Sequence, residues 1–179
     1  MATPALLTAD EFEVMPGCKR CELIRGEIRE RPYLGGLGGR VNAQLTAEIG
    51  RFNNQDQLGA AYCGASYVLS RDPDTVLGPH ISFVRAGQPP KDDRDGFLRR
   101  IPDLAIEIVA PDEGFSELFE KVAILHHAGV PLVWVVDTFC KMVFVWHANG
   151  TAQTLTQSDT LGGEEVLPGF HLPLADIFR

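Results

Sequence analysis

The chain has 179 residues, 45% of them hydrophobic and 22% charged, with a formal net charge of -8. That length suits one domain with a sizeable core, and no apolar run approaches the ~20 residues of a membrane span. The acidic balance argues against non-specific coating of nucleic acid, which needs clustered Lys and Arg.

In chain order, Met1-Ala2-Thr3-Pro4-Ala5 lacks the basic-then-apolar start of a secretory signal, so a cytoplasmic protein is expected. Thr8-Ala9-Asp10-Glu11 is a capping-box sequence that opens a short helix through Met15, ended by Pro16-Gly17. Cys18 and Cys21 have zinc-like spacing, but a structural zinc site usually needs a second such pair. These two and the solitary Cys63 and Cys140 therefore read as free, mostly buried thiols. Residues 21–25 and 27–31 read as strands around a tight Arg25-Gly26 turn. Gly35-Gly36-Leu37-Gly38-Gly39 reads as a flexible connector, followed by a helix over 40–53 with Val41, Leu45, Ile49 and Phe52 on one face. Strands are expected at 60–62, 66–70 and 81–85. Asp72 and Asp74, in Arg71-Asp72-Pro73-Asp74, read as turn residues, and the Gly-, Pro- and charge-rich stretch 86–100 as an exposed loop.

The run 103–109 reads as a buried strand of Leu, Ala, Ile and Val, yet Glu107 stands in its middle. Burying a carboxylate costs several kcal/mol unless a cation or hydrogen-bond donors meet it, and a metal ion at a sheet edge would be such a cation. A helix over 116–128 carries Leu118, Val122 and Leu125 on one face, with Gly129 closing it. The near-continuous apolar run 130–137 reads as a central strand and 141–147 as its hairpin partner. A weak strand lies near Thr154, and 168–179 forms a tail with one short helical turn. With no repeat and no linker, the expectation is a single domain over 1–179: an α/β fold of mixed sheet flanked by helices, with an N-terminal β-hairpin.

Several of these segments together resemble the Uma-type restriction endonuclease family of the PD-(D/E)XK nuclease superfamily. They are Cys21-Glu22-Leu23-Ile24-Arg25-Gly26-Glu27-Ile28, Pro102 through Pro111, Lys121, Ala128-Gly129-Val130-Pro131 through Asp137, and Leu167-Pro168-Gly169-Phe170. The resemblance covers nearly everything from Thr8 to Phe178. It implies a restriction-endonuclease-like core with a mixed sheet of roughly five strands and a metal site at one edge. In that pattern an Asp and a Glu hold a divalent metal, Mg²⁺ or Mn²⁺, and a Lys orients the attacking water. Uma-type proteins look like a variant whose Lys has moved to the following helix. This chain agrees, with Val109 at the usual Lys place and Lys121 on the helix.

The resemblance thus implies Glu107, Lys121 and Glu22 as catalytic residues, with Glu107 and the Ile108 carbonyl on the metal. The family's metal Asp is here His80, whose imidazole suits Mn²⁺, Fe²⁺ or Zn²⁺ better than Mg²⁺. A His that relatives often carry near Gly38 is also missing. Each residue has a plainer reading. Glu107 and Lys121 could be a structural ion pair or Lys121 a solvated position, Glu22 a surface acid, His80 a turn residue, and Asp103 the cap of its strand. Arg94, Arg99 and Arg100 form the expected phosphate-facing cluster. Two functions follow: a metal-dependent endonuclease acting on DNA, as a homodimer if the DNA is duplex, or a catalytically degenerate member of the fold that binds nucleic acid or protein.

Overall fold

Residues 6–18, 20–87 and 96–179 are described by the structure, a computed structural model. Helix α1 (Ala9–Glu13) starts at Thr8, whose hydroxyl accepts from the Glu11 N–H while the Glu11 carboxylate accepts from the Thr8 N–H. The expected capping box is therefore formed. Strands β1 (Cys21–Ile24) and β2 (Glu27–Glu30) pair antiparallel, and Arg25 and Gly26 between them both take positive φ, 52° and 80°. A doubly left-handed turn of this kind matches the twist of a hairpin.

Helix α2 (Gly35–Asp56) is followed by β3 (Gly59–Cys63), β4 (Tyr67–Ser70), β5 (Thr75–Leu77), β6 (Ile81–Arg85) and β7 (Leu104–Ile108). Helix α3 (Phe115–His127) leads to β8 (Leu132–Asp137), β9 (Met142–His147) and β10 (Ala152–Thr156). The chain closes with β11 (Thr160–Gly162), β12 (His171–Pro173) and the short α4 (Leu174–Ile177).

Six strands form the main sheet in the order β10-β9-β8-β7-β6-β3, one more than the roughly five expected. Only β7 and β8 run parallel, and α3 is the connection between them. The other pairings are antiparallel, so the sheet is mixed and α3 lies against it. Alternation along β7 splits the core into two layers. Leu104, Ile106 and Ile108 join Val41, Leu45 and Ile49 of α2 with Trp134 and Val136. Ala105 faces the other way, toward Leu118, Val122 and Leu125 of α3. A smaller sheet, β2-β1-β5-β4, brings Ile24 and Leu77 into that same α3 layer. Among the described residues no helix is long and apolar enough to cross a membrane.

Two expectations are corrected. The glycines at 35–39 are not a connector; they form the first turns of α2. Gly38 is buried, and a Cβ there would meet Leu34 at 3.0 Å and Ile108 at 3.6 Å, so close packing onto β7 outweighs the poor helix propensity of glycine. Nor are the thiols mostly buried: Cys63, at the end of edge strand β3, and Cys140, in the β8–β9 turn, are exposed, and Cys18 and Cys21 are half-buried.

Candidate active site

Glu107 shares the face of β7 that turns toward α3, the face on which Ala105 packs. It is 1% exposed, in a strand whose other members are all apolar. Neither of its carboxylate oxygens accepts a well-directed hydrogen bond. Its nearest polar neighbour is His80, just before β6, with Nδ1 2.8 Å from Glu107 Oε2. The same ring nitrogen receives the backbone N–H of Ile108 at 3.2 Å. A nitrogen that accepts from Ile108 has no proton for Glu107 in that tautomer. With Nδ1 protonated instead, the imidazole can donate to Glu107, and that is the form in which His80 favours the charged carboxylate.

Across the same layer, Lys121 projects from α3 and is 7% exposed. Its Nζ lies 3.0 Å from Glu113 Oε1 and 3.3 Å from Glu22 Oε2. Glu22 sits on β1, on the same side as Ile24, because the alternation that points Leu23 at α1 turns Glu22 and Ile24 toward α3. Its other oxygen accepts the N–H of Gly78 at 3.1 Å and faces Arg31 Nε at 3.6 Å. Space is tight at Gly78: a Cβ would stand 3.0 Å from Arg31 Nη1 and 3.0 Å from Ser66 Oγ. The link from Leu77 to His80 thus joins the two sheets and supplies one partner each to Glu22 and Glu107.

The charges are interdependent. Burial works against the Lys121 ammonium, but Glu107, Glu22 and Glu113 outweigh it and hold its pKa above the ordinary lysine value. Burial raises Glu22 above the ordinary carboxylate value, only partly opposed by Lys121. For Glu107 burial also pushes upward, but His80, Lys121 and Arg31 outweigh it and leave the carboxyl below its ordinary value. Three carboxylates face two permanent cations, Lys121 and Arg31, so the cluster carries one negative charge unless a proton or a cation joins it. Such an imbalance is costly away from water.

A cleft of about 290 Å³ reaches Lys121, Glu22 and Glu113, with Arg29, Glu30 and Glu117 at its walls. Glu113 also borders a second cleft of about 560 Å³, where the start of α2 at Gly35–Leu37 meets Val109–Pro111 and Asp137–Phe139. Sequence reasoning brought Glu107, Lys121, Glu22 and His80 to one place, and the structure gathers those four. It missed Glu113, Arg31 and Gly78. Glu113 stands in the loop just before α3, outside the helix that carries Lys121, so no helical spacing signalled it.

The remaining candidates lie elsewhere. Asp103 accepts from the backbone N–H and Nε of Arg85, at 2.8 and 2.7 Å, in keeping with a strand-end cap. Asp74 accepts from Ala9 N–H and Arg71, tying α1 to the β4–β5 turn. Arg99 pairs with Asp10 and Glu13, each at 2.9 Å, and Arg100 lies over the Tyr62 ring at 5.9 Å. Arg94 lies outside the described residues. Among the described residues, no three His, Cys, Asp or Glu side chains converge as a metal cage.

The mixed sheet and its crossing helix have the fold of a crystal structure from Anabaena variabilis described as "a putative nuclease belonging to DUF820". The two chains are 20% identical and superpose with a TM-score of 0.83 over 96% of this chain and 97% of that one, a likeness of fold. The family is given by sequence: the chain belongs to Uma2, described as "Putative restriction endonuclease", which matches residues 9–175. No curated protein matches the chain at a significant level.

Proposed function

We propose that this Uma2 protein is a metal-dependent endonuclease that hydrolyses phosphodiester bonds in DNA, with its reactive centre at Glu107, His80 and Lys121. One observation carries the reading: a carboxylate that is 1% exposed, has no well-directed donor on either oxygen, and lies 2.8 Å from an imidazole nitrogen. An orphaned carboxylate beside an imidazole is a donor set that fits a divalent cation, and one containing nitrogen fits Mn²⁺, Fe²⁺ or Zn²⁺ better than Mg²⁺. Glu107, His80 and the Ile108 carbonyl would hold it. When bound, such an ion lowers the pKa of water and offsets charge on the phosphate.

The chain's own residues supply the rest. Lys121 keeps its proton, so it acts as a fixed positive charge that orients water and faces phosphate. Glu22 and Glu113 hold that ammonium in place, and Arg31 with the Gly78 N–H holds Glu22. Glu22 and Glu113 are positioning residues in this scheme. Arg99 and Arg100 remain proposed phosphate-facing residues, and a homodimer would supply two sites for duplex cleavage.

A second reading, a degenerate member kept for binding, is favoured by one feature. Only one carboxylate and one imidazole meet, and the other two carboxylates are taken up by Lys121. Calorimetric titration with Mn²⁺ and Mg²⁺ separates the two. Mn²⁺ binding that is lost in Glu107→Gln, with DNA cleavage lost in parallel, supports the enzyme. Absence of binding by the unaltered protein refutes it and leaves the second reading.

A further inference from the structure

The carboxyl ends of the parallel pair β7 and β8 open onto the cleft of about 560 Å³ that Glu113 borders. That volume lies in the range of small-ligand sites. One wall is the start of α2. Gly35, Gly36 and Leu37 form the first turn of this 22-residue helix, where backbone N–H groups have no intrahelical acceptor, and no side chain caps them. A Cβ at Gly36 would meet nothing within 4 Å, so the turn is open to a ligand. Such a turn attracts phosphate.

Thr138 is a second and independent sign of a ligand. It follows β8 in the parity of Trp134 and Val136, which turn toward α2, and it lines the cleft. It is 9% exposed, yet among the described residues no group bonds its hydroxyl. A buried hydroxyl without a partner is costly. The next residue, Phe139, is 92% exposed at the rim of the same cleft. Its turn is fixed by Asp137 Oδ1, which accepts the N–H groups of Phe139 and Cys140 at 2.9 and 2.8 Å. Lys141, in that turn, is exposed and makes no ion pair among the described residues. The two carboxylates at the cleft are each already engaged, Glu113 by Lys121 at 3.0 Å and Asp137 by those two N–H groups. A phosphate-accepting turn, a free hydroxyl and an exposed ring are the complement of one nucleotide. We propose that this cleft binds an unpaired nucleotide of a single-stranded DNA substrate, an inference that rests on the nucleic-acid reading above. Its phosphate meets the first turn of α2, its sugar meets Thr138 and its base stacks on Phe139. In a duplex the base faces are hidden by their neighbours, so a lone exposed ring selects an unpaired base.

The test measures binding of the full chain to a labelled single strand of about 12 nucleotides by fluorescence anisotropy, with a metal chelator present so that nothing is cleaved. The single strand should bind at least roughly tenfold tighter than a blunt duplex of the same sequence. Phe139→Ala should weaken it roughly tenfold, and Phe139→Trp should restore it. Gly36→Asp suits a helix start but repels phosphate, and should weaken binding roughly threefold or more, as should Thr138→Val. Urea midpoints check that each variant folds, and Phe139→Ala, at an exposed site, carries the test if Thr138→Val does not. Affinity unchanged in Phe139→Ala or in Gly36→Asp overturns the site. Duplex bound as tightly as the single strand overturns the unpaired base, and a deoxynucleoside monophosphate bound more tightly than the strand overturns the strand as occupant. Failure of the nuclease reading shows separately, as no cleavage when Mn²⁺ is restored to a protein that still binds the strand.

Discussion

Lys121→Met keeps the aliphatic stem within the α3 layer and removes the ammonium that Glu22 and Glu113 share at 3.3 and 3.0 Å. All three side chains are nearly excluded from water, at 8%, 3% and 1% exposure for Lys121, Glu22 and Glu113. Removing one partner of a buried ion pair leaves an uncompensated charge and costs about 3–5 kcal/mol. Against a total stability of about 5–15 kcal/mol, that is a large fraction. With a urea slope of about 2 kcal/mol per M, the unfolding midpoint falls by roughly 1.5–2.5 M. The loss depends on pH. A carboxyl whose folded pKa is raised contributes stability that is complete below its unfolded value and lost as pH rises through the folded one. Glu22 is already raised above 4.5, and without Lys121 its principal opposing charge is gone. The variant therefore recovers stability as pH falls from neutral toward 4.5, and adding Glu22→Gln restores part of the midpoint at pH about 7. A midpoint shift below about 0.5 M, or a loss that stays constant across that range, would refute the buried cluster.

Four further outcomes follow from the same geometry. Glu107 has a folded pKa below its ordinary 4.5, so its stabilisation is present above that pH and lost as pH falls through the lowered value. Urea midpoints of Glu107→Gln should therefore decline less than those of the unaltered protein below pH about 4.5. His80→Asp replaces imidazole by a hard oxygen donor and should move metal preference toward Mg²⁺ in calorimetry; an unchanged Mn²⁺ to Mg²⁺ ratio removes His80 from the site. Gly78→Ala pushes on Arg31 and Ser66 and should cost about 1 kcal/mol in chemical denaturation, with cleavage of DNA reduced in step; a neutral result means Arg31 moves freely. Arg99→Ala removes a half-exposed cation already engaged by Asp10 and Glu13, so the melting temperature should change little. If DNA affinity falls and its salt dependence weakens in Arg99→Ala, the residue faces phosphate; if neither changes, it serves α1 alone.

The main sheet was legible because its strands announce themselves. Residues 81–85, 104–108 and 132–137 are apolar runs bounded by Pro, Gly or charge, and Glu107 stands out because nothing else in its strand is polar. The start of α2 was not legible. Glycine content argues against a helix locally, and only the contact of Gly38 with Leu34 and Ile108, distant in sequence, reverses that. Strand β5 was missed for a related reason: three residues are too few for alternation to show, and all three are buried. Of the site, the members named by a motif could be read ahead. Arg31 could not, because a charged residue after a charged strand looks like surface until Glu22 is found behind it.

The span Leu77-Gly78-Pro79-His80 carries a mechanical consequence. One short piece of backbone sets the position of the donor to Glu22 and of the imidazole beside Glu107. A displacement of that span is a common-mode error: it moves both partners together and keeps their mutual spacing while breaking both contacts. The span therefore acts as a shared rivet for these two contacts, alongside the Tyr67–Ser82 hydrogen bond that also ties the small sheet to the main one. Inserting one residue anywhere between β5 and β6 uncouples both carboxylates at once, whereas the same insertion in the β9–β10 turn leaves both contacts in place.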